Sequence, residues 1–186
     1  MTVMLSPLLL VAIVVCVIFS LSVNIVTLRS AMLPAIIVVV VIALADLTSR
    51  DDSSGMQSLL FTAPRIKSRY IIWKFFSALF VTLCFTMISI IRFVLEMPRV
   101  AVSLCIGSIL MAASAVGFGV LTGSRKLFMA IFLMLLYIAM NAKNVPVFDF
   151  AGFLGAATTG VQLMYGAIAI GIMLIAYFRH NVRANV

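Results

Sequence analysis

Charged side chains are scarce in this 186-residue chain, which has thirteen Lys or Arg, five Asp or Glu and a single His. Hydrophobic residues make up 65% of the sequence, and the mean hydropathy is +1.31. This composition excludes a soluble globular domain and indicates an integral membrane protein. The net charge of +8 does not indicate a nucleic-acid partner, because the basic residues stand at the ends of apolar segments rather than on one soluble face.

Motifs for catalysis and for metal binding are also missing from the sequence. It contains no G-x-x-x-x-G-K-[ST], so the chain has no P-loop of its own for ATP. His180 lies in the tail FRHNVRANV, where we expect a solvated side chain, and zinc-protease spacings such as H-E-x-x-H are absent. Cys16, Cys84 and Cys105 are isolated within apolar segments, so we expect buried free thiols. These absences favour a chain that is not an enzyme and binds no cofactor or metal.

Six apolar segments approach the roughly 20 residues that a helix needs to cross a bilayer. They cover residues 5–26, 31–47, 70–91, 100–121, 127–142 and 159–178. The first lacks the basic flank and cleavage site of a signal peptide, so we interpret it as a membrane helix. The sequence therefore predicts an all-α polytopic protein with six transmembrane helices in one domain over residues 1–186. The first two form a hairpin that turns around Thr27, Leu28, Arg29 and Ser30, and a single kinked helix is the alternative.

The orientation follows from the basic residues, because cationic connections are retained on the cytoplasmic side. With six crossings and both termini in the cytoplasm, the inner side receives nine basic residues: Arg50, Arg65, Lys67, Arg69, Lys74, Arg125, Lys126, Arg179 and Arg183. The outer side receives four: Arg29, Arg92, Arg99 and Lys143. The inverse arrangement is less favourable, so we expect both termini to be cytoplasmic.

A polar stretch, SRDDSSGMQSLLFTAPRIKSRY, separates the second and third apolar segments; we call it the polar island, residues 49–70. Within it, Ser54 and Gln57 stand in the S-x-x-Q relation of a capping box, and Pro64 stops a helix. The pattern predicts a short helix from about Gly55 to Ala63. Its apolar residues fall on one face at i, i+3, i+4 and i+7, namely Met56, Leu59, Leu60 and Ala63.

Charges flank this short helix in the order that a helix dipole favours. Asp51 and Asp52 precede its positive end, and Arg65 and Lys67 follow its negative end. So short a helix is marginal in water and needs a surface for its apolar face. The pattern leaves two surfaces open, the headgroup region of the bilayer and a groove on a cytoplasmic partner.

The island resembles the cytoplasmic segment between the second and third spans of ABC type-2 exporter permeases. In that family an acidic stretch, a Gly, a short leucine-rich helix and a Pro precede basic residues and a Lys that enters the third span. The matching residues are Arg50, Asp51, Gly55, Leu59, Leu60, Pro64, Arg69 and Lys74. Met56 and Gln57 differ from the residues usual after the Gly, and the amphipathic helix that usually precedes the first span is not seen before residue 5.

The resemblance implies that residues 55–63 form a coupling helix that docks on a separate ATP-hydrolysing subunit. ATP and Mg²⁺ would then be bound by that partner, and the permease would be a homo- or heterodimer in the bacterial inner membrane. The segment from Asn141 to Gly160 similarly resembles the family's outer break between spans five and six, which enters the membrane as short re-entrant helices. Scarce charge in the spans favours a hydrophobic or amphiphilic cargo.

Alternatives to this function remain open on the sequence. A subunit similar to the haem-exporter B component is a close variant, and a non-transport scaffold is another. A small membrane enzyme of lipid metabolism would use Asp51 and Asp52, but the metal sites of such enzymes need further carboxylates nearby. Asp149 is expected on the outer side, where it would orient the re-entrant turn, meet cargo at the exit or serve only the loop.

Overall fold

The computed structural model describes residues 7–53, 64–122, 125–141, 145–155 and 157–185, and these residues form six helices. Helix α1 is Pro7–Ser22; α2 comprises Ile25–Thr27, a π-helical turn over Leu28–Met32 and Leu33–Ser53. The others are α3 Pro64–Glu96, α4 Pro98–Thr122, α5 Arg125–Asn141 and α6 Thr159–Asn185, with a 3-10 turn at Pro146–Phe148 before α6. No strand occurs in these residues, so the prediction of an all-α fold is confirmed for them.

Four of the helices are long and apolar enough to cross a membrane, and they indicate a membrane protein. The apolar stretches are Ile25–Leu47, Tyr70–Glu96, Pro98–Thr122 and Thr159–His180. Two shorter apolar helices, Leu9–Ser22 and Lys126–Asn141, lie over the first and fifth predicted spans. A helix therefore lies at each of the six predicted segments, and crossing by the two shorter ones stays a prediction.

Proline marks the start of three helices. Pro7, Pro64 and Pro98 each occupy the first helical position, where the missing N–H costs no hydrogen bond. Pro98 also disfavours helical backbone at the residue before it, so the long run of α3 and α4 breaks at Met97. The third helix thus begins at Pro64, six residues earlier than the predicted start at Tyr70, because the charged end of the island is itself helical.

The predicted turn between the first two helices was wrong. The break lies at Val23 and Asn24, where the Asn24 side chain accepts a hydrogen bond from the Ile25 N–H at 2.9 Å and caps the new helix. Residues 27–30 are helical, and the Ser30 hydroxyl donates to the Val26 carbonyl at 3.0 Å. The polar residues predicted a turn at residues 27–30, whereas the new helix begins after the capping side chain of Asn24.

Helix α4 lies at the centre of the fold and packs mainly against α3 and α6. Its buried face is rich in small residues, which let neighbouring helices approach closely: Gly107, Ser108, Ala112, Ala113, Ser114, Ala115 and Gly117. A Cβ at Gly107 would lie 2.9 Å from the Phe150 carbonyl oxygen. Small residues therefore allow close packing along α4, whereas a Cβ at Gly166 or Gly171 of α6 would meet nothing within 4 Å.

Large apolar side chains cover the outside of the bundle. Leu95 is 80% exposed, Leu163 is 70% exposed and Phe178 is 66% exposed. Lipid chains would cover an exposed apolar surface of this extent. Cys16, Cys84 and Cys105 are free, as predicted, but Cys105 is exposed on this surface, so the expectation that all three are buried was wrong.

Two ends of the bundle carry the features that bear on function. The island end is where Ser53 closes α2 and Pro64 opens α3, on either side of residues 54–63. The loop end holds the break at residues 23–24, the break at Met97 and the segment 145–158 that precedes α6. Arg92 on α3 ties this end together, because its Nη1 donates to the Val23 carbonyl at 2.7 Å.

Candidate functional site

The helices on both sides of the polar island continue beyond their apolar stretches. The apolar part of α2 ends at Leu47, yet the helix reaches Ser53 and carries Arg50, Asp51 and Asp52 in its last turn. Helix α3 begins at Pro64, six residues before its apolar part starts at Tyr70, and carries Arg65, Lys67 and Arg69 there. The predicted flanking charges are thus all on helices that frame the island.

The predicted coupling helix itself lies outside the described residues. The residues outside the described ranges are Gly55, Met56, Leu59, Leu60 and Ala63, together with the capping pair Ser54 and Gln57. Pro64, predicted to end that helix, is the first residue of α3. Docking by residues 55–63 therefore stays a prediction.

An aromatic contact joins the island end of α3 to that of α6. The ring of Tyr70 stacks on His180 with centroids 5.9 Å apart and an interplanar angle of 21°. Lys74, one turn along α3, donates from Nζ to the Tyr70 hydroxyl at 3.3 Å and lies 5.4 Å from the centre of its ring. His180 is only 9% exposed, so the expectation of a solvated tail residue was wrong.

The loop end is built around the buried side chain of Asp149. The carboxylate is 1% exposed, and its Oδ1 accepts a hydrogen bond from the Leu154 N–H at 3.2 Å. This bond folds the chain back over residues 149–154, where Gly152 has φ +82 and Gly155 has φ +67. Of the roles predicted for Asp149, the orientation of this turn is the one that the contacts describe.

Phenylalanines hold the same segment inside the bundle. The ring of Phe150 is 5.9 Å from that of Phe132 on α5, 5.3 Å from that of Phe153 and 6.3 Å from that of Tyr165 on α6. The Tyr165 hydroxyl donates to the Val147 carbonyl at 2.6 Å. Residues 149–153 are therefore covered by protein, whereas Val145 and Val147 are exposed. The described part of this segment contains one 3-10 turn in place of the expected short re-entrant helices.

A cavity of about 560 Å³ opens at the loop end between the first turns of α4 and α6 and the end of the loop. Its polar lining consists of Arg99, Thr158, Thr159 and Gln162. The Gln162 Nε2 donates to the Ser103 hydroxyl at 2.8 Å, which fixes α6 against α4 at the cavity floor. Sequence reasoning missed this cavity; Arg29, Arg92 and Arg99, at the margins of long apolar runs, were the signal available.

Among the described residues, no group of three or more His, Cys, Asp or Glu side chains is placed to hold a metal ion. No family model matches the chain, and no curated protein or solved structure is detectably similar to it.

Proposed function

We propose that the chain is the membrane-spanning permease subunit of an ABC exporter, with both termini in the cytoplasm and six crossings. It would form a homo- or heterodimer with two copies of a separate ATPase subunit, which binds ATP and Mg²⁺. The cargo would be hydrophobic or amphiphilic, in keeping with the scarcity of charge in the apolar helices.

One observation carries the proposal: helical arms frame the island on both sides. The arms from Leu47 to Ser53 and from Pro64 to Tyr70 each add about 9 Å of helix beyond the apolar stretches. A docking element held between two such arms would pass a displacement to α2 and α3 directly, because a helix is stiffer than a loop. The apolar face of Met56, Leu59, Leu60 and Ala63 would supply the docking contact.

Contacts within the bundle offer a route for that displacement. Tyr70 and His180 join α3 to α6 at the island end, and α4 packs along both helices. Movement of the arm that begins at Pro64 would therefore reach α6 at Tyr70 before it reaches the middle of the bundle. The closing ATPase subunits would drive this movement, so that a path opens for the cargo.

The test places charge on the proposed docking face. The double variant Leu59→Asp with Leu60→Asp should abolish co-purification of the ATPase, because two carboxylates cannot be buried in an apolar groove without large cost. Ser58→Asp with Thr62→Asp is the matched control, since it adds the same charge to the opposite face of the predicted helix. Loss of the ATPase from the first variant alone supports docking, whereas equal retention by both variants removes the docking claim.

A further inference from the structure

The loop-end cavity has the composition of an anion site. Its volume of about 560 Å³ lies within the ~300 to 1,000 Å³ typical of ligand pockets. Arg99 contributes a cation, and Thr158 and Thr159 contribute hydroxyl groups, while the amide nitrogen of Gln162 donates to Ser103 and to the Arg99 carbonyl. The cavity is thus large enough for more than a small ion, and its charged side chain is positive.

Arg99 is uncommitted within the part of the chain that the structure describes. Its side chain is exposed, and its guanidinium makes no ion pair or hydrogen bond to a described residue. Arg92, near the end of α3, is committed, because its Nη1 donates to the Ser20 carbonyl at 2.5 Å and to the Val23 carbonyl at 2.7 Å. Of these two arginines, Arg99 is therefore the one available to a ligand.

A second arginine stands behind the cavity wall. Gly155 lines the cavity, and a Cβ at this glycine would lie only 2.7 Å from Nη1 of Arg29. The Nε of Arg29 is buried and has no hydrogen-bond partner, while Nη1 reaches only the thioether sulfur of Met97 at 3.7 Å. A thioether is a weak acceptor, so the protein leaves this guanidinium poorly satisfied. A half-buried charge in that condition is stabilised when an anion lies nearby.

Among the described residues, no ion pair joins Arg29 or Arg99 to Asp149 or Glu96. Asp149 is buried and accepts a hydrogen bond from the Leu154 N–H. Glu96 is exposed and makes no ion pair with a described residue. Helix α6 begins at Thr159, beside the cavity, and its dipole adds positive potential there. The site therefore combines an exposed arginine, Arg99, and a poorly satisfied one, Arg29, with hydroxyl donors.

We propose that this cavity binds a phosphate group, with Arg99 at its mouth and Arg29 behind Gly155, and that the phosphate belongs to a lipid headgroup. Arginine and hydroxyl donors suit the several oxygens of a phosphate. Beside the cavity, Val102 is 49% exposed and Leu163 is 70% exposed, so acyl chains would lie along these apolar surfaces. The proposal does not depend on ATP-driven transport. It holds equally for a permease, an enzyme or a scaffold with this fold.

The experiment measures lipid retention by native mass spectrometry of the full chain in detergent, with phosphatidylglycerol as the probe. We expect one saturable lipid per chain and about tenfold weaker retention in Arg99→Gln, the effect of losing a charge-assisted hydrogen bond. Arg179→Gln is the matched control, because it removes an exposed charge from α6 near the island end. Thr159→Val should weaken retention without changing net charge, and thermal unfolding shows whether each variant is folded.

A second probe distinguishes a lipid headgroup from free phosphate. Inorganic phosphate is titrated by calorimetry into delipidated protein. Lipid retention that depends on Arg99, with weak binding of free phosphate, identifies a headgroup site. Tight binding of inorganic phosphate that depends on Arg99 keeps the anion site but makes free phosphate its ligand. The inference is overturned if neither probe binds saturably, or if Arg99→Gln and Arg179→Gln have equal effects.

Discussion

Arg92 donates a hydrogen bond from Nη1 to the backbone carbonyl of Ser20 at 2.5 Å, in the last turn of α1. The same nitrogen reaches the Val23 carbonyl at 2.7 Å, beyond the end of that helix. Carbonyls at a helix end lack intrahelical partners, and a cation there also complements the helix dipole. One side chain of α3 therefore fixes both the end of α1 and the break before α2.

Arg92→Gln should loosen α1 from the bundle. Hydrogen bonds to a charged group contribute about 1.5 to 3 kcal/mol, so we expect the free energy of unfolding to fall by that order and the 23–24 break to become more sensitive to protease. The measurements are limited proteolysis and thermal unfolding in detergent, with Arg179→Gln as the control. Equal behaviour of the two variants would show that the Ser20 contact contributes nothing to stability.

Gly107→Ala should displace the loop-end segment, because the new Cβ would lie 2.9 Å from the carbonyl oxygen of Phe150. Overpacking of this kind costs about 1 to 3 kcal/mol. Gly166→Ala is the matched control, since a Cβ there meets nothing within 4 Å and alanine favours helix over glycine. The melting temperature of the first variant should fall, and that of the second should stay level or rise. A stable Gly107→Ala would mean that Phe150 does not pack on α4 as described.

Asp149→Ala should destabilise the turn over residues 149–154. It removes the acceptor of the half-buried Leu154 N–H, and a donor left without a partner there costs about 1 kcal/mol, the low end of the range for buried groups. Asp149→Asn keeps an oxygen acceptor and should cost less. Thermal unfolding of the two variants compares these effects. If Asn is as damaging as Ala, the charge of Asp149 matters more than its hydrogen bond to the turn.

The short helix α5 provides the sharpest test of the number of crossings. In a cysteine-free background, Ser124→Cys and Lys143→Cys flank this helix, and a membrane-impermeant maleimide reports which side each one faces. Six crossings with cytoplasmic termini predict that residue 124 is labelled only from the cytoplasm and residue 143 only from outside. Labelling of both from one side would mean that α5 does not cross, and the reversed pattern would overturn the orientation.

The helices were predictable because the bilayer leaves few options: an apolar run of membrane length must satisfy its backbone internally, and a helix does so. The break at Asn24 was less predictable, since it depends on one side chain capping Ile25 and on Arg29 finding space beside Gly155. Neither the cap nor that space shows in hydropathy. Polar residues in the sequence therefore indicated a break between the first two segments but not its position.

The site was predictable only in part, because burial depends on contacts between residues far apart in the sequence. The pattern around His180 indicated a solvated tail, yet Tyr70 on another helix covers its ring. Asp149 was recognisable as an acid in an apolar setting, and its hydrogen bond to Leu154 explains how that setting tolerates it. The loop-end cavity is formed by α4, α6 and the loop together, so no single segment of the sequence indicated it.

The most direct test of the permease assignment is the identity of the proteins that co-purify with the full chain from its native membrane in mild detergent. Mass spectrometry should find a P-loop ATPase in a one-to-one ratio with this chain, and a neighbouring reading frame should encode it. The Leu59→Asp, Leu60→Asp variant should lose that ATPase while still inserting into the membrane. Recovery of the intact chain with no ATPase, and no such gene nearby, would contradict the assignment.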